Sequence, residues 1–293
     1  MLINSNGFIL SFLPPKKFTI LDLRTSLKIV KEHKIENDNI IFLKTPDPIN
    51  KKGDIFFTPG LDTSALDLHS YICELQNEYT IHSFITKGND ENINYKDLLQ
   101  LCKDYVVELN TNITLLGESF GGNLALDIGY KNDKIIKTIL LNPAIVELDN
   151  KIIEGLKNDI AFKQLLKTII HCKDAGFKSI SCNIEDHIRM YYKLDGYQII
   201  YCLMMSLHNL STSNRKYIKK RIDHLLIPSL KSIQSKSFTD HSPIFILVGL
   251  FDIITPIINH TDVLLQYPSA SISFLPCGHL ISNNLVNIKQ FLK

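Results

Sequence analysis

The sequence has little that would commit it to nucleic acid, to a membrane or to a metal. Its 32 basic and 30 acidic side chains nearly cancel. Lys and Asp/Glu interleave along the whole chain, so no basic stripe exists to follow a phosphate backbone. Six cysteines occur, at 73, 102, 172, 182, 202 and 277, with no C-x-x-C pair and no His/Cys cluster at zinc spacing. Most of them sit inside apolar runs, the pattern of small buried hydrophobes in a reducing compartment. No run of 18 or more apolar residues is present, which argues against a membrane-spanning helix. The N-terminal MLINSNGFILSFLPPKK lacks a basic stretch ahead of its apolar part and lacks a small-residue cleavage site, so it does not read as a secretory signal. Walker-type phosphate loops, internal repeats and low-complexity segments are also missing. These absences give the expectation of a soluble, intracellular protein of the cytoplasm or an organelle. No nucleic-acid partner, integral membrane segment, metal or cofactor is expected, and the oligomeric state stays open.

What is present is enough apolar material for one large core: 293 residues, 45% of them hydrophobic, a size at which α/β folds are commonly a single domain. From residue 53 short apolar runs alternate with amphipathic stretches. Strands are expected at Asp54–Thr58, Tyr79–Ile85, Ile113–Leu116, Lys137–Leu141, Ile244–Val248 and Ile272–Leu275. Helices are expected at Ser64–Gln76, Tyr95–Leu109, Phe120–Tyr130 and His279–Leu292. Such alternation implies an α/β fold with a mostly parallel central sheet flanked by helices. Ahead of it, runs at 7–13, 18–23 and 39–43 read as leading antiparallel strands with a helix between the last two. Residues 147–240 carry only helical patterns, including Ile152–Ile170, Glu185–Tyr192 and Tyr197–Leu210. That stretch is too long for a connecting loop. It reads as a helical cap inserted between two core strands, the core itself being 1–146 and 241–293.

The sharpest local signal is Gly117-Glu118-Ser119-Phe120-Gly121-Gly122, a G-x-S-x-G between an expected strand and an expected helix. A nucleophile at such a corner sits on a strained turn that needs small neighbours, which Gly117 and Gly121 supply. The helix beyond offers N–H groups and a positive dipole end where negative charge develops. The middle of the turn carries a nucleophile, so it is not a dinucleotide fingerprint. A serine hydroxyl needs an adjacent base, and the base an orienting acid. The expected chain order is Ser, then Asp or Glu, then His. Asp252 in VGLFDIITP and His279 in FLPCGHLI supply it, each just past an expected strand. Asp262 is the rival acid, set several residues into an expected helix. Backbone N–H groups of Phe120 and Leu61 are the candidate oxyanion donors, Leu61 because Gly60 in Thr58-Pro59-Gly60-Leu61-Asp62 permits a close turn. A plain Pro-Gly turn is the competing reading of that loop.

At these residues the chain resembles the α/β-hydrolase superfamily, from about residue 50 to its end apart from the insert. The strand–PGLD loop together with GESFGG looks most like the esterase/lipase/thioesterase-type hydrolases of photosynthetic organisms. These include the hydrolase part of plant plastid phytyl ester synthases and diacylglycerol acyltransferase-like proteins. The resemblance implies an acyl-serine intermediate at Ser119, a relay through His279 and Asp252, an oxyanion hole at Leu61 and Phe120, and a plastid among the compartments. Two departures stand against the nearer likeness. The extra acyltransferase domain of the plant proteins is not expected in this chain, and Pro59-Gly60 replaces the His-Gly pair common in the oxyanion loop.

The insert carries Phe162, Phe177, Met190, Tyr191, Tyr192, Met204 and Met205 on helical patterns, either as packing against the sheet or as the wall of an acyl tunnel. The expected partner is therefore a small-molecule, hydrophobic acyl substrate. Hydrolysis by water, transfer of the acyl group to an alcohol, and a non-catalytic binding role all remain compatible with the sequence.

Overall fold

Among the described residues eight strands form one sheet in the order β1-β2-β4-β3-β5-β6-β7-β8. They are β1 Lys28–Ile35, β2 Asp38–Lys44, β3 Gly53–Thr58, β4 Tyr79–Lys87, β5 Ile113–Glu118, β6 Ile135–Leu141, β7 Ile244–Gly249 and β8 Ser271–Leu275. This computed structural model describes residues 28–36, 38–61, 71–72, 75–87, 93–145, 220–236, 242–249, 255, 267, 270–275 and 285–292. Strands β4 through β8 run parallel, and β1 and β2 precede them as an antiparallel pair. The described helices are α1 Tyr95–Glu108, α2 Phe120–Gly129, a π-helical turn Ile222–Leu226 continuing into α3 Ile227–Gln234, and α4 Leu285–Leu292. Tyr71, Ile72 and Leu75 are helical too, within the span read as a helix from Ser64.

The sheet is covered on both faces, which is why β3 and β5 read as continuous apolar runs rather than alternating ones. Alternate residues divide between two cores. Phe42, Phe56, Phe84 and Leu115 face α1, α2 and the 220–234 helix, together with Tyr105, Leu124, Ile222 and Leu230. Ile41, Ile55, Phe57, Ile81 and Leu116 face the opposite way, with Tyr71, Ile72 and Ile288. Helix α1 starts at Asn94, whose side chain accepts from the Asp97 N–H at 3.0 Å, a conventional N-cap. Its far end is closed by the Lys134 ammonium, which donates to the carbonyls of Val107 and Leu109, the polarity favoured at a helix C-terminus.

The leading segment differs from the expectation. The stretch read as a helix ahead of residue 39 contains β1, which turns at Glu36 (φ 52°) and pairs with β2 from Ile35↔Asp38 to Lys28↔Lys44. KIVKEHKI holds three apolar residues, Ile29, Val30 and Ile35, too few to fix a period, and pairing with β2 makes it a strand. The His33 ring meets Phe42 edge-on at 5.3 Å. The register slips between Ile29 and Lys31, and Glu32 and Lys34 are exposed. The runs at 7–13 and 18–23 lie outside the described residues.

A buried polar cluster closes the sheet edge where β3 begins. Asp54 lies 3.0 Å from His82 Nε2, and His82 Nδ1 lies 3.0 Å from the Tyr105 hydroxyl. The tautomer with its proton on Nε2 donates to the carboxylate and accepts from the phenol. Lys51 and Thr111 also donate to Asp54, at 2.8 Å and 3.1 Å. Burial by itself would raise the Asp54 carboxyl, but hydrogen bonds from His82 and Lys51, with the Lys51 charge, outweigh it and hold the group below its ordinary value. A carboxyl lowered on folding stabilises the fold above its unfolded pKa, and that contribution fades as pH falls through the folded value. Asp54→Asn should therefore lose stability at neutral pH, by about 1–3 kcal/mol, and should flatten the decline in stability below about pH 4. Urea melts at several pH values measure both. An unchanged acid limb would assign that limb to other carboxylates.

Candidate active site

Ser119 occupies the single residue between the end of β5 and the start of α2, with φ 54° and ψ −122°. A non-glycine residue held there stores about 1–3 kcal/mol of backbone strain and persists only when its surroundings over-determine it. They do so through backbone hydrogen bonds: the Ser119 N–H donates to the Leu141 carbonyl, and its own carbonyl accepts from the Gly122 and Ala144 N–H groups, each at 2.9 Å. The turn is thus fastened to the end of β6 on both sides of its peptide. The side chain is half-buried while both its neighbours are buried, so the hydroxyl is the part of the corner left accessible.

Each glycine around the serine answers a specific close approach. A Cβ on Gly117 would lie 2.5 Å from the Gly121 carbonyl oxygen, and one on Gly122 would lie 2.7 Å from Pro143 Cβ. Gly121 is the tightest: its Cβ would meet the Thr58 carbonyl oxygen at 1.9 Å and that of Pro59 at 2.4 Å. The loop leaving β3 therefore lies directly on the first turn of α2. The Thr58 hydroxyl fastens it by donating to the Gly121 carbonyl at 2.7 Å. Phe120, as the first residue of α2, has an N–H that the helix cannot use internally. Leu61 stands at the turn after β3 and packs against the same apolar cluster as Phe120.

Because β3, β5, β6, β7 and β8 are parallel, their carboxyl ends share one edge of the sheet. Strand β7 ends there at Gly249 and β8 at Leu275. Asp252 and His279, as well as the rival Asp262, lie outside the described residues. The frame around the β7 exit is described. Asn142, at φ 41°, donates its N–H to the Leu247 carbonyl at 2.9 Å, and its side-chain oxygen accepts from the Gly249 N–H at 2.6 Å. The Thr255 hydroxyl meets the Asn142 carbonyl at 3.5 Å. Asn142 thus holds Gly249 through its side chain and Thr255 through its backbone carbonyl.

Three further polar residues were not legible as site residues. Asn123 on α2 donates to the Ala144 carbonyl at 3.2 Å and to the Ser229 hydroxyl at 3.1 Å. Asp127, one turn on, accepts from the Tyr95 hydroxyl at 2.5 Å and from Lys236. Burial first, and then the Asp127 charge, push the Tyr95 phenol far above its ordinary value, so it remains a donor. Arg221, 1% exposed, donates through Nε to the Leu61 carbonyl. Single polar residues on amphipathic helices carry no motif, and nothing in their spacing separates them from surface positions.

Gly121→Ala should be far more damaging than its size suggests, since the added methyl meets backbone that cannot rotate away. We expect a loss of about 3 kcal/mol or more, or a displaced β3 loop. Gly53→Ala is the control: its Cβ would find only Tyr79 at 4.0 Å and should stay within about 0.5 kcal/mol. Thermal and urea melts of the pair decide it. Equal effects would show that the loop–helix contact is slack.

No protein-family model matches the sequence, and no curated protein matches it. Solved structures do match by shape. A soluble variant of monoglyceride lipase from Saccharomyces cerevisiae is 12% identical with a TM-score of 0.61, over 96% of this chain and 98% of that one. A bacterial membrane phospholipase A, described as a virulence factor, is 14% identical with a TM-score of 0.61, over 93% and 89% of the two chains. An α/β hydrolase enzyme from a Medee basin deep-sea metagenome library is 14% identical with a TM-score of 0.59, over 89% and 95%. Sequences this far apart share one backbone over nearly their whole length, and that backbone is the α/β-hydrolase fold.

Proposed function

We propose that the protein is a serine hydrolase that cleaves an ester or thioester of an apolar acyl group. The observation that carries this reading is Ser119: a strained, half-buried serine at the strand–helix corner of an α/β-hydrolase fold, with glycines where a Cβ would strike the chain packed around the turn. Strain of this kind is retained where it aims a group at a substrate. In the proposed reaction His279 takes the Ser119 hydroxyl proton as the oxygen attacks the acyl carbonyl. Asp252 holds the imidazole in the matching tautomer and stabilises its charged form. The carbonyl oxygen becomes an oxyanion beside the Phe120 and Leu61 N–H groups. As the carbon–leaving-group bond breaks, the imidazolium returns the proton to the departing alcohol or thiol. Water, deprotonated by His279, then cleaves the acyl-serine, releasing the carboxylic acid and restoring the hydroxyl.

In the same reading the insert caps the carboxyl edge ahead of the 220–234 helix, which itself packs on the sheet face with α1 and α2, and the aromatic and Met side chains of the insert line the acyl path. Two structural neighbours are a monoglyceride lipase and a phospholipase A, which supports a lipid-type acyl group. Among the described residues no helix is long and apolar enough to cross a membrane.

Nitrophenyl esters of graded acyl length test the reaction. Wild type should turn them over, with a preference for the longer chains. Ser119→Ala and His279→Ala should each lower kcat by at least about a thousandfold. Asp252→Asn should fall well below wild type while Asp262→Asn stays near it, and the reverse would reassign the acid. Turnover that survives in Ser119→Ala would sink the proposal.

A further inference from the structure

The oxyanion loop is held by a charge that comes from the far end of the chain. Arg221 is among the largest fully buried side chains of the described residues, and it sits in the helical stretch 220–234. Burying a guanidinium is costly unless its donors find partners. Here Nε donates to the Leu61 carbonyl, and Nη1 donates to the Thr86 hydroxyl at 3.3 Å. Thr86 lies near the carboxyl end of β4, and Leu61 follows the carboxyl end of β3, its parallel neighbour. The planar guanidinium therefore spans two adjacent strand exits on the edge where Ser119 lies.

The same helix is fastened to α2 further along. Ser229 meets Asn123, and Lys236, just beyond the helix, meets the buried carboxylate of Asp127. The turn directly after Arg221 is π-helical, from Ile222 to Leu226. Such turns are uncommon and frequent at functional sites; this one widens the helix where it changes from holding the loop to holding α2. A single element thus grips both carriers of the candidate oxyanion donors, Leu61 through its carbonyl and Phe120 through its helix.

We propose that Arg221 is a positioning residue for catalysis: by clamping the Leu61 carbonyl it holds the Leu61 N–H at the point where the oxyanion forms. This rests on the hydrolase reading above. Preorganised donors act on the transition state far more than on the bound substrate, because the charge they meet exists only there. Arg221 never touches the substrate in this scheme, and its loss acts through one residue, Leu61, whose carbonyl and N–H lie on the two peptides either side of its Cα.

The test uses the full chain, with the Ser119→Ala comparison run first on the same ester. Arg221→Met should lower kcat by about ten- to a hundredfold while KM stays within about threefold, a pattern the loss of folded protein does not produce once active sites are titrated. Arg221→Lys, which keeps the charge but not the planar fork, should recover part of the loss. The affinity of a trifluoromethyl ketone, whose adduct with Ser119 carries the oxyanion, should fall in step with kcat/KM. Thr86→Val loosens only the second anchor and should reproduce a smaller version of the same split, which supplies the answer should Arg221→Met fold poorly. Failure of Ser119→Ala to abolish turnover would remove the hydrolase reading and this proposal together. Ser119-dependent turnover with kcat unchanged in Arg221→Lys and Thr86→Val, or with KM and kcat/KM altered while kcat holds, would overturn the Arg221 role and leave the hydrolase reading standing.

Discussion

A methyl group on Gly121 would lie 1.9 Å from one backbone oxygen and 2.4 Å from the next, and the arrangement around Ser119 follows from that contact. With the β3 loop resting on the first turn of α2, the serine corner cannot relax toward the loop. With the Leu141 carbonyl and the Ala144 N–H gripping the Ser119 peptide, it cannot relax toward β6 either. The left-handed backbone at Ser119 is thus imposed from two sides, and its strain is balanced by contacts that exist only in the folded chain. The same approach brings the loop carrying Leu61 against the helix that begins at Phe120. The candidate nucleophile and the candidate donors share one constraint.

Around that constraint the polar residues are distributed by what they hold. Asn142 ties β6 to the exit of β7 through the Gly249 N–H. Asn123 and Asp127 tie α2 to the segment returning from the insert. Each is buried, where a hydrogen bond is exacting because an unmet partner is expensive. The sheet edge opposite the serine has its own trio of Asp54, His82 and Tyr105. Those residue types also appear in catalytic sites, but here their ring and carboxylate atoms face one another among Lys51 and Thr111. This trio and the candidate site lie at opposite ends of the same strands.

Much of this was legible in the sequence, for reasons that differ from element to element. Strands β3, β5 and β7 announce themselves because burial on both faces demands unbroken apolar runs. Ser119 is legible because its turn needs glycines at fixed offsets, and a steric demand on the backbone leaves a pattern in the residues. Strand β1 was not legible because KIVKEHKI has too few apolar residues to show a period, and what makes it a strand is the β2 that follows it. Arg221 was invisible for another reason. Its partner is a backbone carbonyl, and a carbonyl is offered by every residue, so the pairing of Arg221 with Leu61 leaves no trace in the identity of either.

The hairpin at the sheet's margin has a consequence for how the chain is made. Its turn joins Ile35 to Asp38, and every pair in its ladder is close in sequence, so it can form while the rest is still being synthesised. At that stage β2 has no β4 beside it, and a nascent strand edge invites pairing with another chain. The outer strand answers with a slipped register between Ile29 and Lys31 and with Glu32 and Lys34 turned to water. On the β1 side an approaching chain therefore meets an irregular, charged margin, and the regular edge of β2 is the one left for β4 to cover.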